Sequence, residues 1–189
     1  LSINIGSSVY SFTIVLVAFL IGLAGGAAII GRLAARTRDP VGWLSVNHLA
    51  VAVLAGGSYL LADKLPFVFL FLIRGESLGA DTVQFAQFLM ALLVMLPATF
   101  AMGGILPLTM RTYASSLDNV GRDVGSAYSV NTVGAIVGAF LGGFVVIPVL
   151  QLQPGTYMAV CLNAGLCALL ALAAPWRRAR KITSVVAAL

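Results

Sequence analysis

The stretch from Val9 to Ile30 reads VYSFTIVLVAFLIGLAGGAAII and contains no charged residue. A helix needs about 20 mostly apolar residues to cross the hydrocarbon core of a bilayer, because each residue adds about 1.5 Å of length. This stretch is long enough and apolar enough for one crossing. It therefore decides the fold class in favour of an integral membrane protein built from helices.

The composition of the whole chain points the same way. Of its 189 residues, 60% are hydrophobic and only 9% are charged, whereas soluble domains carry about 25% charged residues. So few charges cannot cover a water-exposed globule of this size. We therefore predict an all-α, polytopic bundle of membrane-spanning helices whose first partner is the lipid bilayer.

Further apolar runs along the chain predict about five spans in all. The predicted spans cover residues 9–30, 41–62, 83–110, 124–149 and 156–174. A shorter run, Leu65 to Ile73, cannot cross alone, and we predict an interfacial helix there. Gln151 to Gly155 predicts a tight hairpin, with Pro154-Gly155 as its turn. The chain then divides into a bundle, 1–175, and a tail, 176–189.

The positions of the basic residues predict the orientation of the chain. Nine of the eleven Lys and Arg residues fall on one predicted side, and only Lys64 and Arg74 fall on the other. The positive-inside rule makes the nine-residue side cytoplasmic, here in a bacterial-type inner membrane. Leu1 then lies outside and Leu189 inside, and we expect a sixth helix before Leu1 to complete an even bundle.

The tail combines an interfacial aromatic side chain with a run of basic residues. Each basic residue near a membrane surface contributes about 1 kcal/mol of attraction to anionic lipid, and tryptophan favours the interface. We therefore predict lipid anchoring, and no nucleic-acid binding, by Trp176, Arg177, Arg178, Arg180 and Lys181.

Two predicted spans carry small residues at helical spacing. Gly134, Gly138 and Gly142 form one flat face, and Gly22 and Gly26 form another. Helices in lipid associate through close backbone approach, because the solvent is as apolar as the side chains. We predict that both faces pack against helices. The alternative is that these glycines line a substrate path or a rocking interface.

Three polar side chains form a candidate site within the membrane. Asn131 and Thr132 lie one turn before the glycine stripe, where an amide needs a partner to offset the cost of burial. Interhelical hydrogen bonding and ligand coordination both remain open. His48, the single histidine, lies eight residues after Pro40. An ionisable group at such a depth is a functional candidate, although one histidine cannot hold a metal.

Catalytic and cofactor signatures are absent from the sequence. It contains no phosphate-binding loop, no zinc-ligand spacing and no dinucleotide fingerprint. Its six acidic residues all fall in predicted loops or at span ends, where they would not form a mid-membrane proton relay. We therefore predict no catalytic residue, no cofactor site, no metal site and no enzymatic activity for this chain.

Three stretches resemble a known family. Leu96 to Pro107 (LPATFAMGGILP) resembles a proline–glycine–proline signature, and Val124 to Gly138 (VGSAYSVNTVGAIVG) resembles the tyrosine, asparagine-threonine and glycine stretch that follows it. Phe19 to Leu33 resembles an earlier helix. Together they are similar to the membrane region of spermidine-synthase-like proteins, which fuse a major-facilitator-like half to an aminopropyltransferase domain. The resemblance covers residues 9 to about 150 and implies half of a major-facilitator fold.

The chain departs from that family in two features. The family's first helix, with its acidic, tryptophan and arginine residues, has no counterpart here, and neither has its soluble catalytic domain. Aminopropyl transfer is therefore not assigned to this chain. The segment from Gly31 to Arg38 also resembles a degraded major-facilitator loop motif, with Ala35 where an aspartate is usual.

Abundant small-residue faces and the shortage of mid-membrane charge lead to one principal hypothesis. The chain is a non-catalytic scaffold or accessory subunit, with other membrane subunits or a separate soluble domain as partners. One alternative is a transporter or half-transporter for a small metabolite such as a polyamine. The other is the membrane part of an aminopropyltransferase-like fusion.

Overall fold

The computed structural model describes residues 9–62, 64, 65, 67, 80–113 and 120–186. All regular structure within these ranges is helical, and five helices are long and apolar enough to cross a membrane. The predicted all-α membrane bundle is therefore confirmed. Most of the predicted interfacial helix, residues 68–73, lies outside the described residues.

The described helices follow one another along the chain. They are α1 (Val9–Arg36), α2 (Pro40–Ala62), α3 (Ala80–Gly103), α4 (Ile105–Tyr113), α5 (Val120–Leu141), α6 (Ile147–Leu150) and α7 (Leu152–Val186), with a π-helical turn at Gly142–Val146 between α5 and α6. Helices α3 and α4 form one span together. Helix α5, the π-helical turn and α6 form another.

The first two spans are joined by a short connection that caps the second of them. Helix α1 continues to Arg36, six residues past the predicted end at Ile30. The Asp39 carboxylate then accepts a hydrogen bond from the Gly42 backbone N–H, at 3.2 Å. Pro40 follows as the first residue of α2. An acidic N-cap followed by proline is a favourable helix start, because it satisfies a donor that lacks a partner within the helix.

The third span breaks between α3 and α4. Pro107 has no N–H to donate to the Gly103 carbonyl, and its ring crowds that same carbonyl. The chain responds at Gly104, whose N–H donates to the Ala101 carbonyl at 3.1 Å in a tighter turn. Pro97, by contrast, lies inside α3 without ending it.

The connection between the last two spans lies where it was predicted but is made by a different residue. Gln151 alone joins α6 to α7, with φ of 66° and ψ of 178°. Pro154 and Gly155 belong to the first turn of α7, where a missing N–H costs little. The prediction that Pro154-Gly155 forms the turn is therefore wrong.

Packing within the bundle is uneven. Helix α1 packs along α3, and α2 packs along α7 as well as against α3 and α4. Small cores form where these helices meet, as with Ala34, Leu44 and Leu108. Helix α5 contacts α4 more than any other helix that lies outside its own span. None of the described side chains of α5 is buried. One membrane-spanning helix is thus left largely uncovered by the described residues.

Candidate functional site

The glycine face of α1 lies in close contact with α3. A Cβ atom at Gly22 would overlap the Thr99 side chain, and one at Gly26 would overlap the Phe100 carbonyl oxygen. On the facing helix, a Cβ atom at Gly103 would overlap the Leu23 carbonyl oxygen. Only glycine permits two helix backbones to approach this closely. The structure therefore places the predicted face of α1 in an intramolecular helix pair.

The glycine face of α5 is open. A Cβ atom added at Gly134, Gly138 or Gly142 would meet no other atom of the described chain within 4 Å. The stripe has the same four-residue spacing as the one on α1, but no described helix covers it. Packing of this face within the chain is therefore not found among the described residues.

Two polar side chains of α2 hold the broken third span. The Asn47 amide is buried and donates to the Ala101 carbonyl at 2.9 Å, next to the break at Gly104. One end of α2 thus supports the irregular turn. Further along α2, the Ser58 hydroxyl donates to the Val94 carbonyl at 2.7 Å. Both bonds satisfy polar groups that hydrocarbon cannot solvate.

His48 belongs to the interface between α2 and α7. Its Nδ1 lies 2.9 Å from the Asn163 side-chain oxygen, and the Asn163 amide nitrogen donates to the Ala159 carbonyl at 3.0 Å. Because the amide nitrogen is used there, the asparagine oxygen accepts and the histidine N–H donates. One turn away, the Ser45 hydroxyl donates to the Cys167 carbonyl at 2.9 Å. These bonds join α2 to α7.

Asn163 is a polar residue that the sequence interpretation missed. The sequence does distinguish this residue, because it is a single amide within an apolar run of the last span. Pairing it with His48 required knowledge that α2 and α7 are neighbours. Residues 115 positions apart give no local pattern from which such a contact can be predicted.

Asn131 and Thr132 have different environments although they are adjacent. The Thr132 hydroxyl donates to the Tyr128 carbonyl of its own helix at 2.8 Å, so it is satisfied locally. The Asn131 side chain makes no hydrogen bond to any of the described residues. It lies eleven residues into α5, which is about 16 Å along the helix. An amide at that depth needs a partner.

A cleft of about 820 Å³ lies between α1, α4 and α5. Small residues of α1, Ala27, Gly31 and Ala35, form part of one wall. The polar side chains that line the cleft are Arg111, Tyr128 and Asn131. A second cavity of about 320 Å³ between α4 and α5 shares Asn131 with it. His48 does not line either cavity, so the three predicted polar residues do not form one site.

Among the described residues, the cleft carries a positive charge without a negative one beside it. Arg111 forms no ion pair with these residues, and none of the side chains that line the cleft is acidic. The sequence interpretation used Arg111 only to orient the chain, because a basic residue at a span end usually serves that purpose. Its position in a cleft could not be predicted from spacing alone.

The remaining predicted sites fall outside this cleft. The side chains of Trp176, Arg177, Arg178, Arg180 and Lys181 lie outside the described residues. In the parts of the chain that the structure covers, no three His, Cys, Asp or Glu side chains could hold a metal ion together. Cys161 and Cys167 are free thiols.

Comparisons of the chain with family models, curated proteins and solved structures find no match. The resemblance to spermidine-synthase-like membrane regions therefore stays a prediction. The open face of α5 and the cleft beside it are the features of this chain that bear most on its function.

Proposed function

We propose that this chain is a non-catalytic membrane scaffold or accessory subunit that binds a membrane-spanning helix of another protein along α5. The observation that carries this proposal is the open glycine face of Gly134, Gly138 and Gly142. Outside its own helix, a Cβ atom at any of these positions has no neighbour within 4 Å among the described residues, although the face is as flat as the one that α1 uses.

The α1–α3 pair is an example of the contact that the open face is suited to make. There, glycine at Gly22 and Gly26 lets a second helix backbone approach to van der Waals distance. Association of this kind depends on packing rather than on the hydrophobic effect, because lipid tails solvate apolar side chains equally well. A second helix on α5 would gain the same packing.

Asn131 adds a directional contact to this face. Gly138 and Gly142 follow it by seven and eleven residues, close to two and three full turns at 3.6 residues per turn. The amide therefore shares the face of the glycine stripe. Hydrogen bonds between membrane helices contribute about 0.6 kcal/mol on average and up to about 1.7. A polar group on the incoming helix would satisfy Asn131 and fix its register.

Site-specific photocrosslinking in native membranes tests this proposal. A photoreactive residue at Ala135, on the glycine face, is compared with one at Val133, which points to the other side of α5. We expect Ala135 to give one discrete adduct with another membrane protein and Val133 to give none. The proposal is wrong if both positions react with lipid only.

A matched pair of substitutions tests the same face by co-purification. Gly138→Leu places a large side chain on the face, whereas Gly57→Leu does so at a glycine of α2 that is equally open. We expect Gly138→Leu to lose the partner that is identified by crosslinking and Gly57→Leu to keep it. Equal retention of that partner by both variants would contradict a role for the glycine face.

One observation favours the transport alternative. The break at Gly104 lies beside the cleft, and Gly103 and Asn131 both line it. Broken helices next to a polar cavity are common in transporters. In proteoliposomes, uptake of a polyamine or a related amine that Asn131→Ala abolishes would favour this function. Absence of uptake, or uptake that Asn131→Ala leaves unchanged, would remove the proposed site.

A further inference from the structure

The cleft between α1, α4 and α5 extends from one end of the bundle into the membrane. Ala35, Arg111 and Val124 line it near the ends of their helices, and Leu23 lines it deeper along α1. Leu23 and Ala35 are twelve residues apart, which corresponds to about 18 Å of helix. Half of the hydrocarbon core measures about 15 Å. The cleft thus has the depth of one lipid leaflet.

The two ends of the cleft differ in chemistry. The outer end carries the Arg111 guanidinium, which forms no ion pair with the described residues. Apart from the Asn131 amide, the deeper walls are mainly apolar, with side chains such as Leu23, Met102 and Leu106. A ligand that fits both ends has an anionic group at one end and a hydrocarbon portion at the other.

Two other positive charges lie near the outer end of the cleft along the chain. Arg32 and Arg36 belong to the last part of α1, which ends at Arg36. Basic residues between membrane helices attract the headgroups of anionic lipids. Arginine also binds phosphate oxygens through two parallel N–H donors. The charge distribution therefore favours a phosphate at Arg111.

We infer that this cleft binds an anionic phospholipid, with the headgroup phosphate at Arg111 and an acyl chain along the wall that α1 provides. The Tyr128 hydroxyl, which also lines the cleft, is a second donor toward the headgroup. A soluble anion would use the outer end only and would leave the apolar walls uncovered, so the structure favours a lipid over free phosphate. The inference does not depend on a protein partner at the glycine stripe.

Native mass spectrometry of the protein purified in mild detergent tests this inference. The delipidated protein is titrated with phosphatidylglycerol, with phosphatidylcholine of the same acyl chains, and with inorganic phosphate. We expect one phosphatidylglycerol to bind at least about tenfold more tightly than phosphatidylcholine. Both headgroups carry a phosphate, but the choline cation of phosphatidylcholine cancels its net negative charge and is repelled by the arginines at this end of the bundle. Equal binding of the two lipids, or phosphate binding as tightly as phosphatidylglycerol, would overturn the inference.

Two arginine variants separate the cleft from general surface charge. Arg111→Gln removes the guanidinium that lines the cleft, whereas Arg122→Gln removes one that does not line it. We expect Arg111→Gln to reduce the affinity for phosphatidylglycerol about tenfold and Arg122→Gln to retain it. An equal loss of affinity in both variants would show that the lipid is held by non-specific electrostatic attraction, which would contradict the inference.

Different variants test the lipid site and the scaffold proposal. Gly138→Leu alters the glycine stripe but none of the residues that line the cleft, so lipid binding is expected to persist in that variant. If a protein helix fills the cleft instead, the photoreactive residue at Ala135 is crosslinked while no lipid adduct is retained. That combination would support the scaffold and overturn the lipid site.

Discussion

At the scale of single residues, Gly26 and Gly138 have the same side chain and opposite surroundings. Gly26 is held against the Phe100 backbone, whereas Gly138 contacts nothing in the described chain. A glycine repeat in the sequence predicts a flat helix face in both cases. It cannot predict which helix covers the face, because the covering helix is distant in sequence or belongs to another molecule.

The hydrogen bond between His48 and Asn163 is expected to couple the two residues energetically. A double-mutant cycle of His48→Ala and Asn163→Ala measures this coupling from unfolding in detergent. Interhelical hydrogen bonds in membrane proteins contribute about 0.6 kcal/mol on average, and residues in direct contact show non-additive effects. We therefore expect a coupling energy of about that size.

A control cycle uses residues of the same two helices that do not touch. His48→Ala combined with Thr156→Ala should give additive effects, because the Thr156 hydroxyl bonds within its own helix to the Leu152 carbonyl. Equal coupling in both cycles would show that the two residues do not interact through a specific bond.

At the scale of helices and connections, the sequence predicted the number of spans but not the details of their ends. Apolar length identifies a span because the bilayer sets the length that is needed. The break at Gly104 follows from Pro107, but Pro97 left α3 intact. Whether a proline ends a helix depends on whether neighbours satisfy the freed carbonyl. That information lies in the packing of the neighbouring helices. At the break, for example, the Asn47 amide of α2 donates to the Ala101 carbonyl.

Gln151 occupies backbone space that normally belongs to glycine. Its φ of 66° with ψ of 178° is a region that residues with a Cβ atom adopt at a cost of about 1–3 kcal/mol. We expect Gln151→Gly to raise the free energy of unfolding by about 1 kcal/mol, since glycine relieves this strain and loses more entropy on folding. Thermal unfolding in detergent measures the change.

The matched control for this prediction is Gln153→Gly, two residues later. Gln153 lies in the first turn of α7, where glycine is less favourable than other residues. That substitution should lower stability or leave it unchanged. A stabilisation by Gln153→Gly as large as that by Gln151→Gly would contradict the explanation from backbone strain.

At the scale of the whole molecule, charge is concentrated at one end of the bundle. Arg32, Arg36, Arg111 and Arg122 lie where α1 and α4 end and α5 begins, and Lys64 follows the opposite end of α2. The positive-inside rule associates such a basic end with the cytoplasmic side of a membrane. The basic end is expected to face the cytoplasm.

Labelling with a membrane-impermeant maleimide in intact cells checks this orientation. Single cysteines at Thr37 and at Lys64 are compared in a background without Cys161 and Cys167, the two native thiols. We expect Lys64→Cys to react from outside and Thr37→Cys to react only after the membrane is permeabilised. The reverse pattern would show that the chain is inserted the other way round.

The candidate site is the level at which sequence and structure differ most. Asn131 was identified correctly as an amide within the membrane segment, because a polar residue in an apolar run stands out. The cleft that it lines was not foreseen. The cleft exists because α1 and α5 are separated by a certain distance. The residue pattern within either helix does not predict that distance.

The connection at Gln151 also has a consequence for how the chain is made. Two membrane-spanning helices joined by one described residue leave no loop for the translocation machinery to move separately. Helices α5 and α7 must therefore enter the bilayer together as a hairpin. The ribosome has to complete the α7 span, through residue 173, before that hairpin can form. Residues 120–173 thus acquire their topology only after the whole α7 span has been translated.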